Sequence, residues 1–284
     1  MPGVFRGATV GFTLAYVGVR SVLLVLYERA RRHVPEARAL ATTFLLAFGS
    51  ANVVWLVSLA VPRPWTYVLW GLALLAELSA PILAWRQIPR APIHPRHIPE
   101  RFGLLTLIVL GESVFAVVSG VSRVSWGAAS ATAAVTGFLV AAALWWIYFD
   151  FVGEAAVARR SIKGVLVYVY MHYFVVVGLT ALGAGVKMAI LDAGGDHHYG
   201  GTAWILCAGL AMTMLGLAVI ELASHPGALD ADLWLRVGTV VLALAFVPFD
   251  VSPLSVLVVF AAALIAQVVY ELARHEAHAG AAEI

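Results

Sequence analysis

Charged residues are scarce in this chain: Asp, Glu, Lys and Arg make up only 12% of its 284 residues, about half of their share in an average soluble domain. Cysteine is nearly absent, and the single Cys207 excludes an intramolecular disulfide and any Cys-x-x-Cys site. The sequence contains no Walker loop, no Gly-x-Ser-x-Gly motif and no His-Glu-x-x-His motif. With a net charge of only +2, nothing indicates a nucleic-acid partner. We therefore expect no cofactor, no metal site and no catalytic residues of these classes.

Hydrophobic residues, by contrast, make up 62% of the chain, and its mean hydropathy is +0.92. A helix needs about 20 apolar residues to cross the hydrocarbon core of a bilayer. The apolar runs lack the alternation of barrel strands, which leaves helices as the spanning elements. We predict an all-α, polytopic transmembrane bundle of about nine helices that forms one integral membrane domain over residues 1–284. The predicted spans are 7–27, 41–61, 65–85, 103–122, 130–152, 165–190, 201–222, 234–249 and 253–272.

The basic residues predict how these spans are oriented. If the first span runs from outside to inside, thirteen of the 18 Lys and Arg residues lie on the cytoplasmic side and four on the other. Such a bias follows the positive-inside rule. We expect a protein of the bacterial inner membrane, embedded in the lipid bilayer, with its N-terminus outside and its C-terminus in the cytoplasm.

One carboxylate, Glu112, stands in the middle of the fourth predicted span. A charged side chain at this depth costs roughly 2.5 to 3.5 kcal/mol on insertion scales, so it is kept where a partner, a proton or water stabilises it. A hydrogen bond to a neighbouring helix would also explain Glu112. The position nevertheless makes Glu112 the first candidate for function.

The residues around Glu112 carry a recognisable pattern. His97-x-x-Glu100-Arg101-Phe-Gly, followed by Leu-Ile-Val-Leu-Gly-Glu112-Ser, resembles the signature of the bacterial low-temperature-requirement A family of membrane proteins. Trp145-Trp-Ile-Tyr-Phe-Asp150 and Tyr170-Met-His172 look like later features of the same family. Family members usually begin with further helices that carry an acidic-aromatic motif. The resemblance therefore implies a multi-pass membrane protein without the family's N-terminal portion.

The signature also places its polar residues on one helix face. Arg101 and Glu112 are eleven residues apart, which brings them within about 20° of each other around a helix. His97 shares this stripe with Arg101 at a spacing of four. With Glu100, these residues would form a basic mouth at the cytoplasmic surface. The alternative is that Arg101 is an interfacial anchor and that Glu100 offsets the helix dipole.

Five polar residues from five different spans fall in the inner half of the membrane under this topology. Polar side chains that cannot face lipid must turn inward and pair, so a shared cluster is expected. Three carboxylates against one fixed positive charge would bind protons or cations, and a histidine would titrate near neutral pH. Static interhelical pairs are the alternative. The candidate ion or substrate pathway consists of Glu112, Glu77, Asp150, His172 and Arg20.

The leading hypothesis is a transport or permeation protein for a small solute or protons, linked to this titratable cluster. A non-catalytic membrane scaffold, or a stress-related assembly protein, is the alternative. A third hypothesis is a membrane-embedded enzyme that acts on lipid through the acids and His172, although the sequence favours a non-enzyme. Assembly into a homo-oligomer is compatible with each of them.

Two further groups of residues are expected to have ordinary roles. The aromatic residues Trp145, Trp146, Tyr148 and Phe149 are predicted to form an interfacial belt. Glu221, Asp250 and Glu271 lie at the ends of predicted spans, where we expect solvent to stabilise them.

Overall fold

The fold is described by a computed structural model that covers residues 9–91, 97–152, 162–195, 199–224 and 230–282. These residues form nine α-helices, and no strand occurs among them. Two compact units can be distinguished, Met1–His94 (unit 1) and Pro95–Ile284 (unit 2). The predicted all-α class is therefore confirmed.

Unit 1 contains three helices, α1 (Thr9–His33), α2 (Arg38–Val57) and α3 (Trp65–Leu83). Helix α2 packs against both of its neighbours, and α1 reaches α3 through the long side chains of Tyr16 and Arg20. The core is small because it is built around Trp55 with two alanines, Ala51 and Ala73. The apolar interior of unit 1 is therefore small.

Unit 2 contains the remaining six helices and a much larger apolar core. Helices α6 and α7 pack on each other most extensively, and α4 and α5 both contact α6. A π-helical segment, Ile147–Val152, follows directly after α5. The helices are α4 (His97–Val121), α5 (Ala128–Trp146), α6 (Ile162–Ala193), α7 (Thr202–Ser224), α8 (Ala231–Ala245) and α9 (Pro253–Ala282).

Eight of the nine described helices are long and apolar enough to cross a membrane. The exception, α8, has 15 residues, or about 22 Å at 1.5 Å per residue. Its first turns are tied to the far end of α9, because Asp232 accepts from Arg274 at 2.8 Å. Since α9 begins at Pro253, about 30 Å before Arg274, the chain must run from one end of unit 2 to the other between Asp232 and Pro253. The eighth predicted span, 234–249, lies within this stretch.

The surface of the described helices is apolar along much of its length. Large hydrophobic side chains are exposed on every helix; examples are Val25, Leu46, Leu75, Ile108, Phe138, Tyr173, Trp204, Val241 and Val269. A soluble monomer rarely exposes contiguous apolar surface on this scale. Such a surface is stable in contact with lipid.

Glycines bring α6 and α7 into close contact. A Cβ atom added to Gly209 would lie 2.7 Å from the backbone nitrogen of Leu182 and 2.8 Å from the carbonyl oxygen of Gly178. One added to Gly216 would lie 3.1 Å from the carbonyl oxygen of Met171. Small residues of this kind allow membrane helices to approach closely where no hydrophobic effect holds them together.

Two helix boundaries bear on the sequence predictions. Helix α4 begins at His97, so Pro99 falls in its first turn, where the missing N–H group of proline is tolerated. Helix α9 continues to Ala282, ten residues beyond the predicted end of the ninth span at residue 272.

Candidate functional site

A carboxylate is buried inside unit 1. Glu77 on α3 forms an ion pair with Arg20 on α1, and their side chains are 3% and 25% exposed. The Tyr16 hydroxyl donates to Glu77 Oε2 at 2.6 Å. Arg20 in turn donates to the Tyr16 oxygen, at 3.2 Å from Nε and 3.0 Å from Nη2. Glu77, Arg20 and Tyr16 therefore form a closed triad that links the first and third helices.

Aromatic rings surround the triad. The Tyr16 ring lies 4.3 Å from that of Trp55, which lies 5.1 Å from that of Trp70. The Arg20 guanidinium lies 5.2 Å from the centre of the Phe48 ring, within the range of a cation–π interaction. The helical spacing explains the arrangement, because Tyr16 and Arg20 are four residues apart and share one face of α1.

Several polar atoms around this triad have no hydrogen-bond partner within the described structure. One is Oε1, the second carboxylate oxygen of Glu77; the others are Thr13 Oγ1, Asn52 Oδ1 and Trp55 Nε1. All four side chains are buried. An unsatisfied buried polar group costs about 1–3 kcal/mol. The described residues of unit 1 therefore leave several buried polar atoms unpaired.

In unit 2, the histidine of the predicted cluster is fully buried. His172 Nδ1 lies 2.7 Å from the carbonyl oxygen of Tyr168, and Nε2 lies 2.8 Å from the hydroxyl of Tyr148. A carbonyl can only accept, so Nδ1 carries the proton, and a neutral ring then accepts at Nε2 from Tyr148. The Phe102 ring, 4.6 Å away, covers the imidazole.

Tyr148 thus differs from its prediction as an interfacial aromatic. It is only 2% exposed, whereas Trp145 is exposed as a belt residue would be. The π-helical segment that begins at Ile147 accounts for this, because its wider turn re-aims the side chains that follow α5. Such a turn could not be read from the apolar pattern.

Glu112 lies on the exposed surface of α4, among apolar neighbours that include Ile108 and Phe115. Arg101, on the same stripe, is also exposed. Thr106, on the buried side of α4, is six residues away and so about 120° around the helix from Glu112. Within unit 2, Glu112 therefore points away from the side of α4 that faces the core.

The remaining predicted residues occupy the ends of helices. His97 is the first residue of α4 and Glu100 lies exposed in its first turn, while Asp150 belongs to the π-helical segment. The side chains of His97 and Asp150 are outside the described residues. Thus the structure joins Arg20 to Glu77 in unit 1, and in unit 2 it places His172 in the core and Glu112 on the exposed face of α4.

A charged network that the sequence did not predict ties three helices of unit 2 together. Arg236 on α8 forms an ion pair with Glu221 on α7, and its Nη2 lies 3.5 Å from Glu271 Oε1 on α9. The side chains of Arg236 and Glu271 are each 1% exposed. The expectation that solvent stabilises Glu271 is therefore wrong, and Glu221 has a protein partner as well. The sequence does contain a signal for this network, because these oppositely charged residues lie at the same end of three successive predicted spans.

Carboxylates beside this network could hold a cation. Ligand atoms of Glu221, Asp230 and Asp232 lie within 4.8 Å of one another. Two of the three already have cationic partners, since Arg236 pairs with Glu221 and Arg274 with Asp232. A metal ion would have to compete with both arginines, so the arrangement favours ion pairs.

Comparison with known proteins gives one result. Residues 1–270 match the family model described as bacterial low temperature requirement A protein (LtrA). No significant match was found among curated proteins or among solved structures. Since the matched region covers most of the chain, this multi-pass helical membrane protein belongs to the bacterial low-temperature-requirement A family.

Proposed function

We propose that this protein conducts protons, or a small solute together with protons, across the bilayer, and that protonation of Glu77 drives the step. The observation that carries the proposal is the buried triad of Glu77, Arg20 and Tyr16. Six residues separate Glu77 from the end of α3 at Leu83, a depth of about 9 Å. A carboxylate held at this depth is a functional candidate by default.

The triad offers Arg20 two partners, and we propose that they support two arrangements. With Glu77 charged, Arg20 is held by both the carboxylate and the Tyr16 oxygen. Protonation of Glu77 removes the Coulombic attraction, and Arg20 keeps Tyr16 as its partner. An equilibrium of this kind lets one proton change the charge that unit 1 presents to a passing solute.

The unsatisfied atoms around the triad support transport over a static pair. A pair that served only to hold helices together would gain from having every polar atom paired. Here Glu77 Oε1 lacks a partner, as do Thr13 Oγ1 and Asn52 Oδ1 on the neighbouring helices. Water or a small polar solute would satisfy these atoms and deliver protons to Glu77.

Glu112, Asp150 and His172 stay in the proposal as further titratable groups, now in unit 2. The proposed setting is the bacterial inner membrane with the N-terminus outside and the C-terminus inside. The chain crosses unit 2 between Asp232 and Pro253, in addition to the eight helices that are long enough to span. The total is then odd, and a chain with its two termini on opposite sides of the membrane needs an odd number of spans.

A scaffold remains the second candidate function, and one observation favours it. The exposed stripe of α4 combines apolar residues with Glu112, a surface that a second copy of the chain or another membrane helix could cover. In this case the ion pairs would serve assembly alone.

Proton flux in liposomes distinguishes the two functions. The purified protein is reconstituted with a pH-sensitive dye inside, a pH gradient is applied, and wild type is compared with Glu77→Gln. We expect the variant to remain folded and to lose at least 90% of the flux. Glu28→Gln is the matched control, because the ion pairs that the described residues make with Glu28 come from Arg31 and Arg32 on its own helix.

Two results would contradict transport. Wild type that conducts no better than empty liposomes is one, and unchanged flux in Glu77→Gln is the other. A scaffold predicts instead that Glu77→Gln fails to assemble, which size-exclusion chromatography would show.

A further inference from the structure

We propose that Thr106, Tyr148 and Tyr168 hold a water molecule in the core of unit 2, and that this water relays protons through Tyr148 to His172. The relay goes beyond the function proposed for Glu77, which belongs to the other unit. It rests on the hydroxyl groups around His172, on the direction of their hydrogen bonds and on the backbone that places them.

Two hydroxyls in this core, those of Thr106 and Tyr168, make no well-formed hydrogen bond within the described structure. Both are near the Tyr148 hydroxyl, with which they interact only weakly. Both residues are at least 99% buried. Buried polar groups of this kind are satisfied by water that makes two to four hydrogen bonds, and the hydroxyls of Thr106, Tyr148 and Tyr168 offer three.

The hydrogen bonds around His172 have a defined direction. The carbonyl oxygen of Tyr168 fixes the proton on Nδ1, so Nε2 accepts from the Tyr148 hydroxyl. The Tyr148 oxygen is then free to accept from the bound water. A proton arriving on the water passes to the Tyr148 oxygen as the original Tyr148 proton passes to Nε2. The water is regenerated, and His172 becomes the imidazolium.

The backbone at this point is also unusual. Tyr148 lies in the π-helical segment Ile147–Val152, and single π turns inside helices occur frequently at functional sites. Thr106 comes from α4, whereas Tyr168 and His172 come from α6. Three elements, α4, the π-helical segment and α6, therefore contribute side chains around one imidazole.

The described surroundings of His172 contain no charge that would hold the imidazolium permanently. Helix α5 contains no charged residue, and the side chains that α4 presents there are Phe102 and Thr106. On α7, which packs on this part of α6 at Gly216, the nearest charged residue is Glu221, about 7.5 Å further along the helix. The charged residues of α9 begin at Glu271, beside Arg236. A proton on His172 is therefore transient, as a relay needs.

Solid-state NMR of the full chain in liposomes tests the site. With ¹⁵N-labelled histidine, the His172 signal is identified by its loss in His172→Asn. We expect a proton on Nδ1, an accepting Nε2, and magnetisation transfer from water to the ring. The transfer should fall at least threefold in Thr106→Val/Tyr168→Phe, which keeps the shapes of both side chains, and should persist in the control Thr132→Val, whose hydroxyl bonds only to its own helix. A proton on Nε2, or no transfer in wild type, would overturn the site.

Proton flux in the same liposomes tests the relay. Tyr148→Phe removes the hydroxyl and keeps the ring, and we expect the flux to fall at least tenfold. The control is Tyr173→Phe, because Tyr173 is exposed. Unchanged flux in Tyr148→Phe would overturn the relay. If Glu77→Gln abolished flux in the same assay, the function proposed for unit 1 would still stand, so the two failures are distinguishable.

Discussion

The two units of this protein place their buried charges differently. Unit 1, with its small core, contains a full ion pair between Glu77 and Arg20. Unit 2, with a far larger core, contains a neutral histidine and hydroxyls near its centre. Its described buried charge, Arg236 with Glu271, lies at one end of the bundle.

This difference has an energetic meaning. A buried ion pair carries a desolvation penalty that can exceed its Coulombic gain, so it is weak evidence for a structural role. Neutral hydrogen-bonded groups avoid most of that penalty. The centre of unit 2 therefore avoids most of the penalty that the pair in unit 1 carries. Unit 1 carries a pair that stability alone does not explain.

The largest effect is expected from breaking the pair in unit 1. Arg20→Met leaves Glu77 buried without its counter-ion, which typically costs about 3–5 kcal/mol of unfolding free energy. Unfolding by SDS titration in mixed micelles measures it. The double variant Arg20→Met/Glu77→Leu should recover most of the loss, because no charge then remains buried.

The exposed Arg32, which pairs with Glu28 on its own helix, gives the matched control. Arg32→Met should cost less than about 1 kcal/mol. A double variant as unstable as Arg20→Met would show that packing by the arginine stem, and not its charge, stabilises unit 1.

A smaller effect is expected from the framework of unit 2. Gly209→Ala places a Cβ atom against the backbone of Leu182 and Gly178, and overpacking of this kind costs about 1–3 kcal/mol. The same SDS titration measures the loss. Gly111→Ala on α4 is the control, because nothing lies within 4 Å of a Cβ added there. Equal stability of the two variants would mean that α6 and α7 do not depend on this contact.

The smallest effect on stability is expected for Glu112. Its side chain is exposed on a helix long enough to span the membrane, where a charge is costly, so Glu112→Gln should not lower the unfolding free energy. Cross-linking in liposomes reports on assembly in the same variant. A large loss of stability, or a change in oligomeric state, would show that Glu112 has a partner outside unit 2 and would favour the scaffold.

Much of the fold follows from the sequence because long apolar runs determine where membrane helices form. The start of α4 at His97 is compatible with Pro99, which falls in its first turn. Counting depth along the helices also placed Arg20 and Glu77 at similar levels, and the structure pairs them. Depth says nothing about which side of a helix a neighbour covers, so it left the direction of Glu112 undetermined.

The parts of the site that the sequence did not reveal depend on tertiary geometry. From the sequence, Tyr148 looks like an interfacial aromatic residue. It lies in the π-helical segment, and its hydroxyl bonds to His172. Arg236 resembles any positive-inside residue until α7 and α9 bring Glu221 and Glu271 to it. Opposite charges at the same end of three consecutive spans could have indicated this network.

The glycine contacts between α6 and α7 also limit how the protein can move. Gly178, Gly209 and Gly216 each face backbone atoms of the opposing helix. If either helix slid by one turn, larger residues would replace these glycines at the contact, and their Cβ atoms would clash with the backbone of the opposing helix. These contacts therefore oppose sliding of α6 against α7, and a rearrangement of unit 2 is expected to come from the helices that pack around this pair.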